Sequence, residues 1–363
     1  MRAAILHECP GELTMTDALE LGEPHDDEVV VKIDAIGMCH SDVHVMDGVM
    51  PAACPAVLGH EAAGTVERAG AAAGDFSEGD RVVITLSVHC GHCKMCRTGY
   101  PSVCINKPAL GRGFDDPAYT LDGQGVVAPL RVAAFTEKAI VHHSGLVKIP
   151  DGFSTEQASL IGCAVPTGMG AVMRTAEVKP GDSCVVIGAG GVGLSSVQGA
   201  RIAGAGQIIV VDRNPAALEL ATKVGATHAV TAGNDIADAV GEVNEITQGG
   251  ADHVFEAIGL PVLTQAGFQM LGRRGQLVII GLHPHDQNFS VPGLNFVGTE
   301  AIVRGSNMGS QRPQIDLPIY MDYAQRGLLD LDAVVTDTMP WEDMGAAIDR
   351  LREGAVGRTV VTF

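Results

Sequence analysis

Asp182-Ser-Cys-Val-Val-Ile-Gly-Ala-Gly-Gly-Val-Gly-Leu194 decides the fold. The apolar run Ser183 to Ile187 suits a buried strand, and Gly191 to Ala203 reads as the helix that follows. Between them lies G-x-G-x-x-G, in the strand-turn-helix context that gives this pattern its meaning. Gly188 permits the tight turn, Gly190 lets the backbone approach a pyrophosphate, and Gly193 lets helix and strand pack closely. With Gly191 and Val192 between them, these residues put a phosphate on the helix N-terminus. A second apolar strand ends at Asp212, where a carboxylate can accept hydrogen bonds from ribose hydroxyls. Its charge repels a 2′-phosphate, which favours NAD. Arg213 is the residue that would face such a phosphate if NADP were bound instead.

Outward from this stretch, strands and helices alternate. Gln207 to Asp212 is followed by a helix over Pro215 to Val224. Further on come a strand over His253 to Ala257, a helix from Pro261 to Leu271 and a strand over Gly275 to Ile280. This grammar predicts an α/β fold, a Rossmann doubly wound parallel sheet, over residues 165–305. Residues 1–148 read differently. Glu28 to Ile33, Gly64 to Glu67 and Arg81 to Leu86 are short strands broken by Gly, Pro and Asp, so a mainly β domain is expected over 1–164. Ala109 to Leu130 reads as one long loop, a candidate border for a substrate entrance. Pro313 to Arg326 and Trp341 to Glu353 read as helices and Arg358 to Phe363 as a last strand, with 306–363 returning to the first domain.

Asp and Glu number 43 against 24 Lys and Arg, and the net charge of −19 would repel nucleic acid. No run approaches the roughly 18 apolar residues of a membrane span, and Met1 to Leu13 does not resemble a signal peptide, so a cytoplasmic chain is expected. In a reducing compartment its nine cysteines are thiols, available as metal ligands.

Four of those cysteines, Cys90, Cys93, Cys96 and Cys104, follow C-x2-C-x2-C-x7-C. Tight turns at this spacing bring four sulfurs around one tetrahedral Zn²⁺, leaving no vertex for water. Such a zinc is structural. His89 and His92, among the ligands, read as loop residues. Three separated fragments supply another set: Cys39 in Gly37-Met-Cys-His-Ser-Asp42, His60 in Gly59-His-Glu61, and Cys163 after Gly162. Two sulfurs and one nitrogen leave a zinc's fourth position open for water or a substrate oxygen. An open zinc stabilises an alkoxide, the species that expels hydride.

In these fragments, together with the glycine-rich turn, the chain resembles the zinc-dependent medium-chain alcohol dehydrogenases over nearly its whole length. The resemblance implies a GroES-like catalytic domain, two zinc ions per chain and NAD. It implies that Ser41 takes the alcohol proton and that His44 receives it through the cofactor ribose. Asp42 and Glu61 are implied behind the metal, Asp42 hydrogen-bonding His60 to orient the ring and raise its basicity. Arg358 matches a family arginine on the cofactor pyrophosphate, and His40 stands where some relatives carry an arginine in the same role. A homodimer or homotetramer is likewise implied.

By the same resemblance the pocket walls include Leu86, Val103, Ala109, Phe135, Leu282 and His283, an apolar lining suited to primary alcohols, aliphatic or aromatic. Gly305 to Pro313 and the loop before Leu130 resemble bacterial aryl-alcohol and nitroso-dye-linked alcohol dehydrogenases, relatives of the thiol-dependent formaldehyde dehydrogenases. The expected function is NAD-linked interconversion of alcohols and aldehydes. The rivals are oxidation of a glutathione or mycothiol adduct of formaldehyde, and a non-catalytic zinc-ribbon and nucleotide-binding interaction protein.

Overall fold

The computed structural model describes residues 1–233 and 235–363. The chain forms two compact units. The first comprises Met1–Cys163, Arg312–Arg326 and Asp337–Phe363, and the second Ala164–Gln311 and Gly327–Thr336. Residues 306–311 and 327–336, which the sequence groups with the return, therefore lie in the second unit.

The first unit is built on the strand Glu28–Gly37, whose sequence EVVVKIDAIG is buried at all but two positions. A strand apolar on both faces needs cover on both, and it receives it. Glu61–Ala69 pairs antiparallel along one edge, while Lys138–His142 and Arg358–Thr362 share the other. Arg81–Thr85 and Leu146–Lys148 extend the sheet beyond Glu61–Ala69. The last strand thus returns to the first unit, with Val360 opposite Gly37. Trp341 stacks on Phe363 with ring centroids 4.4 Å apart, closing the core there.

The expected long loop over 109–130 is irregular over 111–118 and 128–130 but carries short elements. A one-turn helix covers Lys107–Leu110, and Tyr119–Leu121 pairs with Gln124–Val126 as a hairpin. Its turn, Asp122-Gly123, has positive φ at both residues, as a two-residue hairpin turn of this type demands. The buried Tyr119 hydroxyl accepts from the Ile140 N–H at 2.8 Å. Arg112 reaches Glu28 at 3.2 Å. Glu28 and Gly37 are opposite ends of one strand, roughly 30 Å apart at the rise of an extended chain, so the segment around Arg112 does not border the site near Gly37.

The second unit holds six parallel strands. In spatial order they are His228–Thr231, Gln207–Asp212, Ser183–Ile187, Ala251–Glu256, Leu271–Ile279 and Ile302–Gly305. Chain order reverses between Ser183–Ile187 and Ala251–Glu256, and the crevice beyond their carboxyl ends is where such sheets bind ligands. Helices Gly191–Ala203 and Pro215–Val224 have the predicted bounds. Among the described residues no helix is long and apolar enough to cross a membrane.

Candidate metal and dinucleotide sites

Cys39 ends the turn that leaves Glu28–Gly37 and caps the short helix His40–Met46. His60 directly precedes the strand Glu61–Ala69, and Cys163 follows the helix Thr155–Leu160, whose Ser154 side chain accepts from the Gln157 N–H. The three donor atoms lie within 4.8 Å of one another, all on buried residues. Cys163 Sγ is 3.4 Å from His60 Nε2. A zinc held at about 2.3 Å by sulfur and 2.0–2.1 Å by nitrogen sets two tetrahedral ligands about 3.5 Å apart, so this set fits the ion.

Around the donors the charges are arranged for a cation. The Asp42 carboxylate accepts from the Gly59 N–H at 2.9 Å and meets His60 Nδ1 at 3.1 Å. That contact fixes the ring so that Nε2 faces the sulfurs. A hydrogen bond from Cys163 holds the Cys39 thiol well below its usual range, against the opposing effect of burial, with the His60 and Arg358 charges assisting. Cys163 is pushed up by the same hydrogen bond and by burial. Burial alone would lower the His60 pKa, but Asp42 and the Cys39 thiolate outweigh it and raise it. Asp42→Asn is expected to weaken metal retention and turnover about 10- to 100-fold, the usual cost of losing such a partner. Metal content and kcat measured on one preparation check it.

Glu61 is fully buried behind the metal ligands, and neither carboxylate oxygen has a hydrogen bond. Burial pushes it up to about 8 although Arg358 opposes this, its Nη2 lying 3.5 Å from Oε2. Gly37 makes the space: a Cβ there would stand 2.6 Å from Glu61 Oε1. Arg358 also donates to the Met38 carbonyl at 2.6 Å and lies 3.9 Å from Cys39 Sγ. Only 6% exposed, it is held at the metal ligands. Ser41 Oγ is 3.8 Å from Cys39 Sγ, and His44 lies one turn further along the same helix. His40 is exposed, its ring 6.1 Å from that of His44. Of the expected pocket walls in this unit, Leu86 is half-buried and Val103 and Ala109 are exposed, but Phe135 has no accessible surface. It packs in the core rather than lining a pocket, and its backbone N–H bonds the Leu58 carbonyl.

The second set is closed. Sulfur–sulfur distances are 3.5 Å for Cys93–Cys96, 3.8 Å for Cys93–Cys104 and 3.6 Å for Cys104–Cys90. Four thiolates at about 2.3 Å from one zinc would stand about 3.8 Å apart, whereas a disulfide needs about 2.05 Å. Cys93 is drawn down to about 6, chiefly by the hydrogen bond with Cys96, while burial pushes Cys96 up to about 12. Thiols this close cannot all ionise against one another, and a dication removes that conflict. His92 Nδ1 bonds the Cys90 carbonyl and His89 Nδ1 that of Ser87.

In the second unit Gly188 has φ of +97°, which the turn requires. A side chain at Gly193 would collide with the Gly188 carbonyl, whereas a Cβ at Gly190 would meet nothing within 4 Å. The backbone is therefore bare where a pyrophosphate must approach. The N–H groups of Gly191, Val192 and Gly193 lie in the first helical turn, where intrahelical partners are lacking. Asp212 accepts from the Ala189 N–H at 2.7 Å and the Asn214 N–H at 2.8 Å. Its remaining lone pairs suffice for ribose hydroxyls. Arg213 is exposed. Leu282 is exposed, and His283 Nε2 is 2.8 Å from Thr264 Oγ1.

Residues 25–151 match the family model of the alcohol dehydrogenase GroES-like domain and residues 191–325 that of the zinc-binding dehydrogenases. The chain belongs to the zinc-dependent medium-chain alcohol dehydrogenases. Over 369 aligned residues it is 35% identical to S-(hydroxymethyl)glutathione dehydrogenase of Escherichia coli, covering 100% of this chain and 99% of the relative. Among solved structures it is similar to an alcohol dehydrogenase zinc-binding domain protein from Burkholderia ambifaria (32% identity, TM-score 0.94, 100% and 98% of the two chains covered). It is also similar to benzyl alcohol dehydrogenase from Acinetobacter calcoaceticus (30% identity, TM-score 0.93, 100% and 99% covered).

Proposed function

We propose that this chain interconverts primary alcohols and aldehydes, aliphatic or aromatic, with NAD as the hydride carrier. The reading rests on one observation: Cys39, His60 and Cys163 form a buried donor set one short of tetrahedral, with the Ser41 hydroxyl 3.8 Å from one of its sulfurs. When bound there, zinc supplies a Lewis acid that makes an alcohol hydroxyl far more acidic and stabilises charge on its oxygen. Ser41 accepts the alcohol proton, and His44 passes it towards solvent. Asp42 keeps the His60 ring in place. The turn Gly188 to Gly193 cradles the pyrophosphate and Asp212 takes the ribose hydroxyls, which selects NAD over NADP.

The name of the Escherichia coli relative favours a second reading, oxidation of a thiol adduct of formaldehyde. Such a substrate needs cations for the thiol's carboxylates. Of two cations in the 107–131 segment, Lys107 Nζ is committed to the Ser102 carbonyl, and Arg112, committed to Glu28 and Asp116, lies away from the site. The test is an NAD reduction assay on an alcohol panel including benzyl alcohol, beside formaldehyde with and without glutathione or mycothiol. Thiol-independent turnover of alcohols is expected, and turnover only of the adducts would replace this reading by the second. Asp212→Ala is expected to raise KM for NAD about tenfold, the worth of a charged hydrogen-bond acceptor, and to narrow the preference over NADP.

A further inference from the structure

At the carboxyl end of the strand Ala251–Glu256, in the second unit, one residue holds two loops. The Glu256 side chain accepts from the Ile258 and Gly259 N–H groups through Oε1, both at 2.8 Å. Its backbone carbonyl accepts from the Ile280 N–H at 2.8 Å and the Gly281 N–H at 3.0 Å. The two loops therefore meet at close range. A Cβ at Gly281 would collide with the Gly259 nitrogen, and one at Gly259 with the Leu282 carbonyl. Ile258 in turn packs on the glycine-rich turn, where a Cβ at Gly188 would stand 2.6 Å from its Cγ1.

Glu256 is fully buried, and its Oε2 has no hydrogen-bond partner among the described residues. Burial pushes the carboxyl up, while the Gly259 and Ile258 N–H groups, His283 and the Thr264 hydroxyl act the other way. Thr264, on the helix Pro261–Gln269, has no accessible surface either. Its Oγ1 is 2.8 Å from His283 Nε2. The imidazole expected at a pocket wall is thus anchored on a buried hydroxyl, and its ring also meets that of Phe289, with centroids 5.8 Å apart.

We propose that Glu256, Thr264 and His283 are positioning residues for the dinucleotide, which fix segments 257–260 and 280–283 as one wall of the crevice beyond the sheet. The inference rests on the reading of this chain as an NAD-linked enzyme. Chain order reverses between Ser183–Ile187 and Ala251–Glu256, and Ile187 is the register partner of Glu256. The network therefore stands at the point where such a sheet takes its ligand. Its product is a pair of apolar side chains, Ile258 and Leu282, left 40% and 46% exposed on tied-down backbone. A wall fixed beforehand loses little entropy when a ligand covers it. Glu256 and Thr264, both buried, act through that wall and not by touching the cofactor.

The test is direct titration of the zinc-loaded protein with NADH, followed by initial rates with NAD and alcohol varied separately. Thr264→Val, which keeps the shape and removes the hydroxyl, is expected to raise Kd for NADH and KM for NAD about two- to tenfold, the worth of one hydrogen bond. Glu256→Gln, which gives up a charged acceptor, is expected to raise them by at least about tenfold. KM for the alcohol stays nearly constant in both, and Thr264→Ser restores the parent values. An unchanged Kd in Thr264→Val, with or without a lower Tm, overturns the proposal. So does a loss that Thr264→Ser shares with Thr264→Val, or KM values for NAD and alcohol that rise together. Failure of the underlying reading looks different: the parent protein then binds no NADH and Asp212→Ala alters nothing, and the proposal falls with it.

Discussion

His60→Ala is expected to abolish alcohol-dependent NAD reduction and to leave one zinc per chain instead of two. His60 is the only nitrogen donor of its set, and the two sulfurs left behind cannot hold a dication tightly in a dry site. Loss of the Lewis acid removes several kcal/mol of stabilisation of charge on the substrate oxygen, or ~10³-fold or more in rate. The substitution also removes the ring that lies 3.1 Å from Asp42 Oδ1 and 3.0 Å from Oδ2, leaving the buried carboxylate the Gly59 N–H at 2.9 Å on Oδ1. Some loss of stability therefore accompanies the loss of turnover. Metal analysis and kcat on the same folded sample decide the matter. Turnover retained with one zinc would mean that the open set is not where the reaction occurs.

Cys93→Ala is expected to do the reverse: one zinc lost, stability lowered, and turnover per remaining chain changed only a few-fold. Structural zinc in zinc-finger peptides supplies about 10–16 kcal/mol of apparent binding energy. Here only the lobe around Cys90–Cys104 depends on it, so at least about 3 kcal/mol is expected, a fall in Tm of roughly 6–12 °C for a unit of this size. Cys93 is itself buried and caps the helix Lys94–Arg97, so its removal disturbs the turn as well as the ligand set. Calorimetry with and without added zinc measures it. If Cys93→Ala and His60→Ala cost turnover equally, the division of labour between the two sets is wrong.

Much of this was legible in the residues. Strand, turn and helix around Gly188–Gly193 follow from apolar runs punctuated by glycine, and local patterns of that kind need no knowledge of the rest of the chain. The four-cysteine set is local in the same sense, since all its ligands lie on one loop. Cys39, His60 and Cys163 are not local, and periodicity alone would have left each as an ordinary buried residue. Their family context is what joined them.

Relations that exist only in three dimensions were less visible. Nothing in the spacing of Gly37, Glu61 and Arg358 says that the glycine vacates space for a carboxyl whose counter-ion arrives from the last strand. The family resemblance implies Phe135 as a pocket wall, yet its ring is fully buried in the core of the first unit. The hairpin over Tyr119–Val126 is a different case. Asp122-Gly123 is a strong two-residue turn signal, but the flanking strands are three residues each, too short for alternation to stand out.

The pairing of Arg358–Thr362 with Glu28–Gly37 has a consequence for how the molecule is made. Arg358 meets the Met38 carbonyl across 320 positions of chain. At ~5–20 residues per second the ribosome needs on the order of tens of seconds between delivering the two. During that interval the second unit emerges and can fold, while Glu61 waits with no counter-ion and Glu28–Gly37 waits with one edge partly bare. The nascent first unit is thus an open template, vulnerable to pairing with a neighbouring chain, and its metal-binding pocket is electrostatically finished last. A protein that can begin assembling early completes its chemistry only after some 320 further residues have been synthesised.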